Sequence, residues 1–243
     1  MMKSGFKVLF AATALSAALV VPAAADDWGG FSATITGTSD YRFRGISQTN
    51  NDPAVQGSID WASDSGFYLG AWGSNIDFAE DIEVDLYGGY AFETEGGLGV
   101  DVSAVYYAYP GDDTDPEIDY WEFFLKLSHT FNTVTWSGQL AFSPNFFGET
   151  GTGIYAGTGL SVPINDWLSA DANIGWQSVE DIDDVAGSGF PYVDWNVGLT
   201  ATWENFSFDV RYIDVNLSEA QCGADICDAT VVATISYTFS GGE

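Results

Sequence analysis

The feature that most constrains this chain is an alternation of apolar and polar side chains with a period of two residues. In residues 120–128, Trp121, Phe123 and Leu125 alternate with polar or mixed positions. A β-strand sends such alternating sets to opposite faces. The same pattern recurs in residues 193–201, and no helical periodicity competes with it. The sequence therefore predicts an all-β fold.

Twelve segments with this pattern follow one another, and each is long enough to cross a bilayer as a tilted strand, which takes about 9–11 residues. They are residues 31–46, 54–63, 66–77, 82–93, 97–109, 118–131, 133–143, 153–162, 167–177, 192–202, 205–215 and 229–239. Five tight turns rich in Gly, Asp and Asn alternate with six longer polar loops, as in outer-membrane barrels. We therefore predict a closed antiparallel transmembrane β-barrel of about twelve strands, wound as an up-and-down meander.

Aromatic side chains on the apolar faces support a membrane barrel, because a bilayer favours aromatic girdles at two depths. The girdle predicted near the tight turns comprises Phe31, Trp61, Phe67, Phe92, Phe131, Trp136, Trp203, Phe206, Tyr237 and Phe239. The girdle predicted near the long loops comprises Tyr41, Phe43, Tyr106, Trp121, Phe123, Phe142, Trp176, Trp195 and Tyr212. The alternative is that these residues form the core of a secreted β-sandwich.

Residues 1–25 have the pattern of a cleaved secretory signal peptide. Lys3 and Lys7 precede an apolar run over residues 8–21, and small residues follow at 23–25. The run is shorter than the roughly 18 apolar residues of a membrane-spanning helix. We predict that residues 26–243 are exported through the periplasm of a Gram-negative bacterium and inserted into its outer membrane by the barrel-assembly machinery.

The two cysteines, Cys222 and Cys227, lie five positions apart in a polar loop. In an oxidising compartment this spacing predicts a disulfide. A metal site built on two thiols would need further ligands, and the single histidine, His129, is far away in sequence.

The chain has 35 Asp and Glu but only 6 Lys and Arg, which gives a formal charge of −29. This balance argues against binding to nucleic acid or to anionic membrane surfaces. An aromatic content of 16% excludes disorder for most of the chain. We expect the acidic run at residues 112–117 to be a solvated loop; Ca²⁺ binding is the alternative, although the run lacks the spacing of an EF-hand.

Charged side chains fall on the polar face of the predicted strands, as a barrel requires, because Arg or Lys facing lipid at the midplane costs roughly 2–4 kcal/mol. The predicted pore-lining charges are Arg42, Arg44, Lys126, Arg211, Asp40, Asp60, Glu83, Asp85, Glu122 and Asp209. One interpretation places Arg42 and Arg44 on the first strand, in a basic ladder with Arg211 that orients charged solutes. The other is a network of buried ion pairs that fixes the barrel geometry.

Four sequence blocks resemble a known family. The segment SDYRFRGISQ at residues 39–48, followed by NDPAVQG at 51–57, resembles the opening of the TorF family of porins, also labelled the Gcw_chp family of proteobacterial outer-membrane proteins. The blocks GAWGSNIDF at 70–78 and DLYGGY at 85–90 resemble those that follow in that family. The resemblance implies an outer-membrane barrel that acts as a porin, and no catalytic residues come with it.

Twelve strands lie between the eight whose interior side chains fill and the sixteen that leave a wide channel. Small lumen residues such as Gly89, Gly157 and Gly175 favour a narrow diffusion channel for small solutes or ions. The excess of lumen acids predicts a preference for cations. The alternative is a closed structural or adhesive barrel with acidic surface loops and no open pore.

An enzyme is not predicted. His129 lies near a tight turn with the parity of the outer face, and the sequence has no P-loop, nucleophile elbow, HExxH or CxxC motif. No cofactor and no metal ion are expected. The expected partners are outer-membrane lipid and small solutes, with no nucleic acid.

Overall fold

A computed structural model describes residues 30–180 and 191–241, so the predicted signal peptide at residues 1–25 lies outside the described residues. The strands are β1 (Gly30–Thr38), β2 (Arg42–Phe43), β3 (Ile46–Ser47), β4 (Ala54–Ala62), β5 (Phe67–Asn75), β6 (Ile82–Glu93), β7 (Leu98–Ala108), β8 (Tyr120–Phe131), β9 (Val134–Ser143), β10 (Gly153–Asn165), β11 (Leu168–Val179), β12 (Tyr192–Trp203), β13 (Phe206–Val215) and β14 (Thr230–Gly241). One short helix, α1 (Glu219–Cys222), and 3-10 turns at Ala79–Asp81, Phe147–Glu149 and Asp225–Cys227 lie between strands.

Twelve of the strands, β1 and β4 to β14, form one closed antiparallel barrel. Each barrel strand pairs with its neighbours along the chain, and β1 pairs with β14 from Phe31 opposite Gly241 to Thr38 opposite Thr234. The strands β2 and β3 form a separate hairpin. The closed twelve-stranded meander that the sequence predicts is confirmed.

The outer surface of the barrel is apolar because alternate residues of each strand face outward. Ile35, Leu69 and Leu125 are 53%, 62% and 38% exposed on β1, β5 and β8. Apolar side chains on the outer face are what a strand in contact with lipid requires. In residues 30–180 and 191–241, no helix has the length and apolar character to cross a bilayer.

Aromatic residues are exposed near both ends of this surface. Near the tight turns these are Phe31, Phe67, Phe92, Phe131, Trp203 and Phe239, and near the long loops they are Trp121, Phe123, Phe142, Trp176 and Trp195. The prediction is wrong for two members of the loop-side girdle, Tyr41 and Phe43. Tyr41 is only 5% exposed, and Phe43 packs against the same buried cluster, because neither residue is part of the barrel wall.

We call the end of the barrel with the tight turns the turn end and the opposite end the loop end. The turns lie between β4 and β5, β6 and β7, β8 and β9, β10 and β11, and β12 and β13. The loop between β11 and β12 includes residues 181–190, which lie outside the described residues together with their acidic side chains.

The structure departs from the sequence prediction in the first segment. The strand predicted at residues 31–46 ends at Thr38, whose hydroxyl donates a hydrogen bond to the Asp40 carbonyl over 3.0 Å. Residues 40–48 then fold into the barrel, and Arg44 (φ 48°) and Gly45 (φ 85°) make the turn between β2 and β3. The prediction that Arg42 and Arg44 lie on a wall strand is therefore wrong.

Candidate functional site: the barrel lumen

The lumen is filled at the loop end. Every barrel strand contributes an inward residue that is buried there: Thr38, Ala54, Ser74, Glu83, Tyr107, Tyr120, Ala141, Tyr155, Val179, Tyr192, Val215 and Val232. We call this part of the lumen the loop half, and we call residues 40–48, which occupy it, the inward hairpin. Its Tyr41 packs edge-on against Trp72, with ring centroids 5.4 Å apart.

Arg44, at the tip of the inward hairpin, reaches two separate strands of the wall. Its guanidinium forms an ion pair with Glu122 on β8 at 2.8 Å and donates to the Gln177 side-chain carbonyl on β11 over 2.7 Å. It also lies over the Tyr155 ring, 4.3 Å from the centroid. Burial by itself lowers the pKa of Arg44, but the charge of Glu122 together with Tyr107, Tyr120 and Tyr155 raises that pKa above its ordinary value. The hairpin tip therefore remains cationic and fixed to both strands.

Arg42 attaches the hairpin to the loop between β13 and β14. Its guanidinium forms an ion pair with Asp40 at 2.5 Å and donates to the backbone carbonyls of Ile226 (2.7 Å) and Asp228 (3.2 Å). A further bond runs to the Asn51 side chain over 2.6 Å. Because the Arg42 side chain is buried, these partners replace the water that it would otherwise bind.

The loop that receives Arg42 spans residues 216–229, and we call it the latch loop. A disulfide joins its two cysteines, Cys222 and Cys227. Ile46 of the hairpin packs on the small buried cluster that these cysteines form with Tyr192 and Val215. The hairpin thus contacts the latch loop through polar bonds at Arg42 and apolar packing at Ile46.

Gly45 is the point of closest approach between the hairpin and the wall. It has a positive φ of 85°, and a Cβ at this position would clash with a methyl group of Val215 and lie 3.2 Å from the Asp194 Cβ. A residue with a side chain would therefore be strained in its backbone and overpacked against β12 and β13.

Two acidic side chains lie beneath the hairpin on the inner face of β6. The Tyr41 hydroxyl donates to Glu83 over 3.1 Å, and burial followed by the charge of Glu83 raises the pKa of Tyr41 well above its ordinary value. Asp85 is 1% exposed; among the described residues neither of its carboxylate oxygens accepts a bond from an N–H or O–H donor, and its carboxyl group interacts with that of Glu83. A buried carboxylate without such a donor is unfavourable.

The turn half of the lumen, from mid-barrel to the turn end, holds the remaining predicted charges. Arg211 pairs with Asp209 at 2.7 Å and with Asp171 at 3.4 Å, and it donates to the Asn196 side chain. Asp60 accepts hydrogen bonds from Tyr87 and Ser58. The predicted basic ladder of Arg42, Arg44 and Arg211 is wrong, because Arg211 forms its ion pairs in the turn half while Arg42 and Arg44 form theirs around the hairpin.

Lys126 differs from the three arginines of the described barrel. Among residues 30–180 and 191–241, no carboxylate lies within 4.0 Å of its ammonium group, which sits 5.1 Å from the centroid of the Phe124 ring. Asp101 is its register partner on β7, but the Asp101 oxygens accept hydrogen bonds from Tyr68 and Ser103. Lys126 is half-buried, and its ammonium group interacts with the Asp101 carboxylate from beyond ion-pair distance.

The seam between β1 and β14 lines the lumen with hydroxyl groups. Three side-chain pairs bond across it: Thr34 with Thr238 (3.1 Å), Thr36 with Ser236 (2.8 Å) and Thr38 with Thr234 (3.0 Å). This sector of the wall is polar and uncharged.

Tyrosine side chains occupy part of the space that the lumen glycines leave. A Cβ at Gly89 would lie 2.6 Å from the Tyr68 hydroxyl, and one at Gly157 would lie 3.0 Å from the Tyr155 ring. The rings thus lie against the glycine backbone of the wall. The small residues that we expected to widen the lumen accommodate these rings instead.

The described residues contain no group of three or more His, Cys, Asp or Glu side chains arranged to hold a metal ion. In the acidic loop at residues 112–117, Thr114 donates a side-chain bond to Asp112 over 2.5 Å. His129 lies on β8 near the turn end, and its Nδ1 is 2.9 Å from the Gly97 carbonyl oxygen.

Comparisons with known proteins agree with this architecture. A family model described as "Bacterial protein of unknown function (Gcw_chp)" matches residues 23–239. The structure of the NanC porin superposes with a TM-score of 0.57 at 8% identity, covering 87% of this chain and 99% of that one. An outer-membrane channel from Pseudomonas putida F1 gives a TM-score of 0.49 at 8% identity, covering 92% and 98%. No curated protein sequence matches significantly. The NanC likeness shows the fold, which is that of a bacterial outer-membrane barrel.

Proposed function

The chain belongs to the Gcw_chp family of bacterial proteins, and we propose that its barrel is a narrow outer-membrane channel for small solutes or ions that prefers cations. Its place within that family as a TorF porin is part of the same proposal. So are the removal of residues 1–25 on export and insertion by the barrel-assembly machinery.

The observation that carries this proposal is the polar, partly exposed lining of the turn half. Thr36, Ser58, Gln139, Thr200 and Ser236 project inward from five different strands, and each side chain remains partly exposed. A lumen that served only as a packed core would bury these positions among apolar partners. Partly exposed polar side chains on several strands instead support an aqueous path through this half.

The cation preference rests on the charges of the turn half. In the part of the chain that the structure describes, the carboxylates of Asp60, Asp101, Asp171 and Asp209 share this half with two bases, Lys126 and Arg211. A lumen with net negative charge concentrates cations and repels anions. Because salt screens this field, the preference should weaken as ionic strength rises.

A closed structural or adhesive barrel is the second candidate, and the filled loop half favours it. Buried side chains from all twelve strands surround the inward hairpin at that end. If the hairpin never leaves, no solute crosses, and the exposed acidic loops are the functional surface.

Single-channel recording distinguishes the two candidates. The mature protein is refolded, its folding is checked by heat-modifiable migration, and it is placed in a planar bilayer under a salt gradient. We expect discrete current steps with a reversal potential that favours cations, and we expect Asp60→Asn to reduce that preference. A folded, inserted protein that stays silent, even after residues 40–48 are replaced by a Gly-Ser linker, would overturn the channel proposal in favour of the closed barrel.

A further inference from the structure

We propose that the inward hairpin is a gate, that the latch loop holds it shut through Arg42, and that its opening uncovers a site for small inorganic cations at Glu83 and Asp85. This inference rests on the proposed channel function, because a gate needs a path to close. It assigns a regulatory role to the latch loop and a ligand to two buried carboxylates.

The hairpin is not built into the barrel wall. β2 and β3 pair only with each other, so no β-ladder ties them to a barrel strand. Within residues 40–48, the backbone hydrogen bond to another part of the chain is the one that the Asp77 amide donates to the Gln48 carbonyl over 2.8 Å. The remaining attachments of the hairpin are side-chain contacts, which can be released without breaking any strand pairing.

The latch loop supplies the contact that holds the base of the hairpin. Arg42 donates to two carbonyls, those of Ile226 and Asp228, the residues on either side of Cys227. The disulfide closes this short segment, so it keeps the two carbonyls at a fixed spacing for a single guanidinium. Breaking the disulfide or removing the guanidinium should therefore have the same effect on the hairpin.

The closed arrangement also leaves polar groups without partners. The buried side-chain atoms that lack hydrogen bonds in the described residues belong to Asp85, Ser143, Gln177 and Asp194. All four residues point inward near the loop end, on strands that surround the hairpin. Withdrawal of the hairpin would let water reach these atoms, which favours the open state. The latch opposes this tendency.

The site that opening uncovers consists of two carboxylates two residues apart on the inner face of β6. Tyr41 covers them in the closed state, since its hydroxyl bonds Glu83 and its ring lies against Trp72, the register partner of Asp85. Opening also frees Glu122 from Arg44. Neighbouring carboxylates with access to water suit hard cations such as K⁺ and Ca²⁺.

The first test compares wild type with two latch variants in planar bilayers. Arg42→Gln keeps the disulfide, and Cys222→Ser/Cys227→Ser keeps the arginine. We expect both to raise the open fraction about tenfold, because each weakens one set of charge-assisted bonds that favours the closed state. The matched control is Arg211→Gln: this arginine bonds Asp209, Asp171 and Asn196 in the turn half, so its removal should change selectivity but leave the open fraction at the wild-type value.

The second test adds Glu83→Gln/Asp85→Asn to wild type and to the Arg42→Gln background, and measures reversal potentials in KCl and CaCl₂ gradients. We expect a reduced cation preference in the Arg42→Gln background and little change in wild type. Asp60→Asn, in the turn half, should reduce the preference in both backgrounds. Hydrogen exchange of the hairpin amides in the folded protein gives a second readout of opening.

Each outcome separates the gate from the channel. If wild type conducts and both folded latch variants match it in open fraction and hairpin exchange, the gate is overturned while the channel stands. An equal effect of Glu83→Gln/Asp85→Asn in both backgrounds would show that the two carboxylates already face the solute path in the closed state. This would overturn the proposal that the hairpin covers a cation site. Silence of every variant, including the one with residues 40–48 replaced by a linker, would overturn the channel itself.

Discussion

The two halves of the lumen use the same kinds of residue in different surroundings. In the loop half, the side chains of Arg44 and Glu122 are 4% and 0% exposed; in the turn half, those of Arg211 and Asp209 are 15% and 13% exposed. A buried ion pair cannot lose one partner without leaving an uncompensated charge, whereas a partly hydrated pair can turn to water. Hydration thus decides whether a lumen charge holds the structure together or acts on solutes.

The largest expected difference between the halves concerns these two ion pairs. Glu122→Gln leaves Arg44 buried without a counter-charge, so we expect it to lower the free energy of unfolding by about 3–5 kcal/mol. Asp209→Asn should cost about 1 kcal/mol or less, since Arg211 keeps Asp171 and has access to water. Guanidinium unfolding in lipid vesicles, followed by tryptophan fluorescence, measures both. Equal losses would break the comparison.

Gly45→Ala tests the packing of the hairpin against the wall. A left-handed backbone with a Cβ, together with overpacking against Val215, should destabilise the closed hairpin by about 2–4 kcal/mol. Faster hydrogen exchange of the hairpin amides would report the change. The control is Gly37→Ala on β1, where a Cβ would lie 3.8 Å from the nearest atom, a methyl carbon of Ile235. Unchanged exchange in Gly45→Ala would contradict the close approach.

Two tyrosine-carboxylate bonds sharpen the comparison further. Tyr41→Phe removes the donor to buried Glu83 in the loop half, and we expect a loss of about 2 kcal/mol in the free energy of unfolding. Tyr87→Phe removes the donor to Asp60 in the turn half, where Ser58 and water remain, so about 1 kcal/mol is expected. A larger loss of unfolding free energy for Tyr87→Phe would show that water reaches the turn half less than the loop half.

Lys126→Gln should have the smallest effect on stability, within about 0.5 kcal/mol, because Lys126 has no ion pair in the described part of the chain. Its effect should instead fall on selectivity. Removal of an unpaired positive charge from the lumen is expected to shift the reversal potential further toward cations. Lys126→Arg is the matched control and should leave selectivity unchanged. An unchanged potential in Lys126→Gln would place this side chain away from the solute path.

The wall of the barrel was predictable because each strand faces lipid on one side and the lumen on the other, which requires apolar and polar side chains to alternate. The segment predicted at residues 82–93 is the observed β6, Ile82–Glu93. The hairpin was missed because Tyr41, Arg42, Phe43 and Arg44 continue the same alternation, although they lie inside the barrel. The available signal was length: the predicted segment 31–46 is much longer than the 9–11 residues a tilted strand needs.

The partners of the arginines could not be read from the sequence. Arg44 meets Glu122 and Gln177, which are 78 and 133 positions away and lie on different strands. The alternation along each strand indicated that both partners face inward. It carries no information about which inward residues of different strands lie at the same depth in the barrel. The absence of a donor at Asp85 likewise depends on the hairpin that covers it.

The seam of hydroxyl pairs between β1 and β14 bears on the order of assembly. Its partners Thr34 and Thr238 are 204 positions apart, so the seam can form only after nearly the whole chain has been made. Contacts between residues so distant in sequence form slowly. β1 leads directly into the hairpin, and the Ser39 amide bonds the Ala233 carbonyl at the end of the seam. We therefore expect the hairpin to enter from the side of a still open sheet, so that the last strand to pair encloses it.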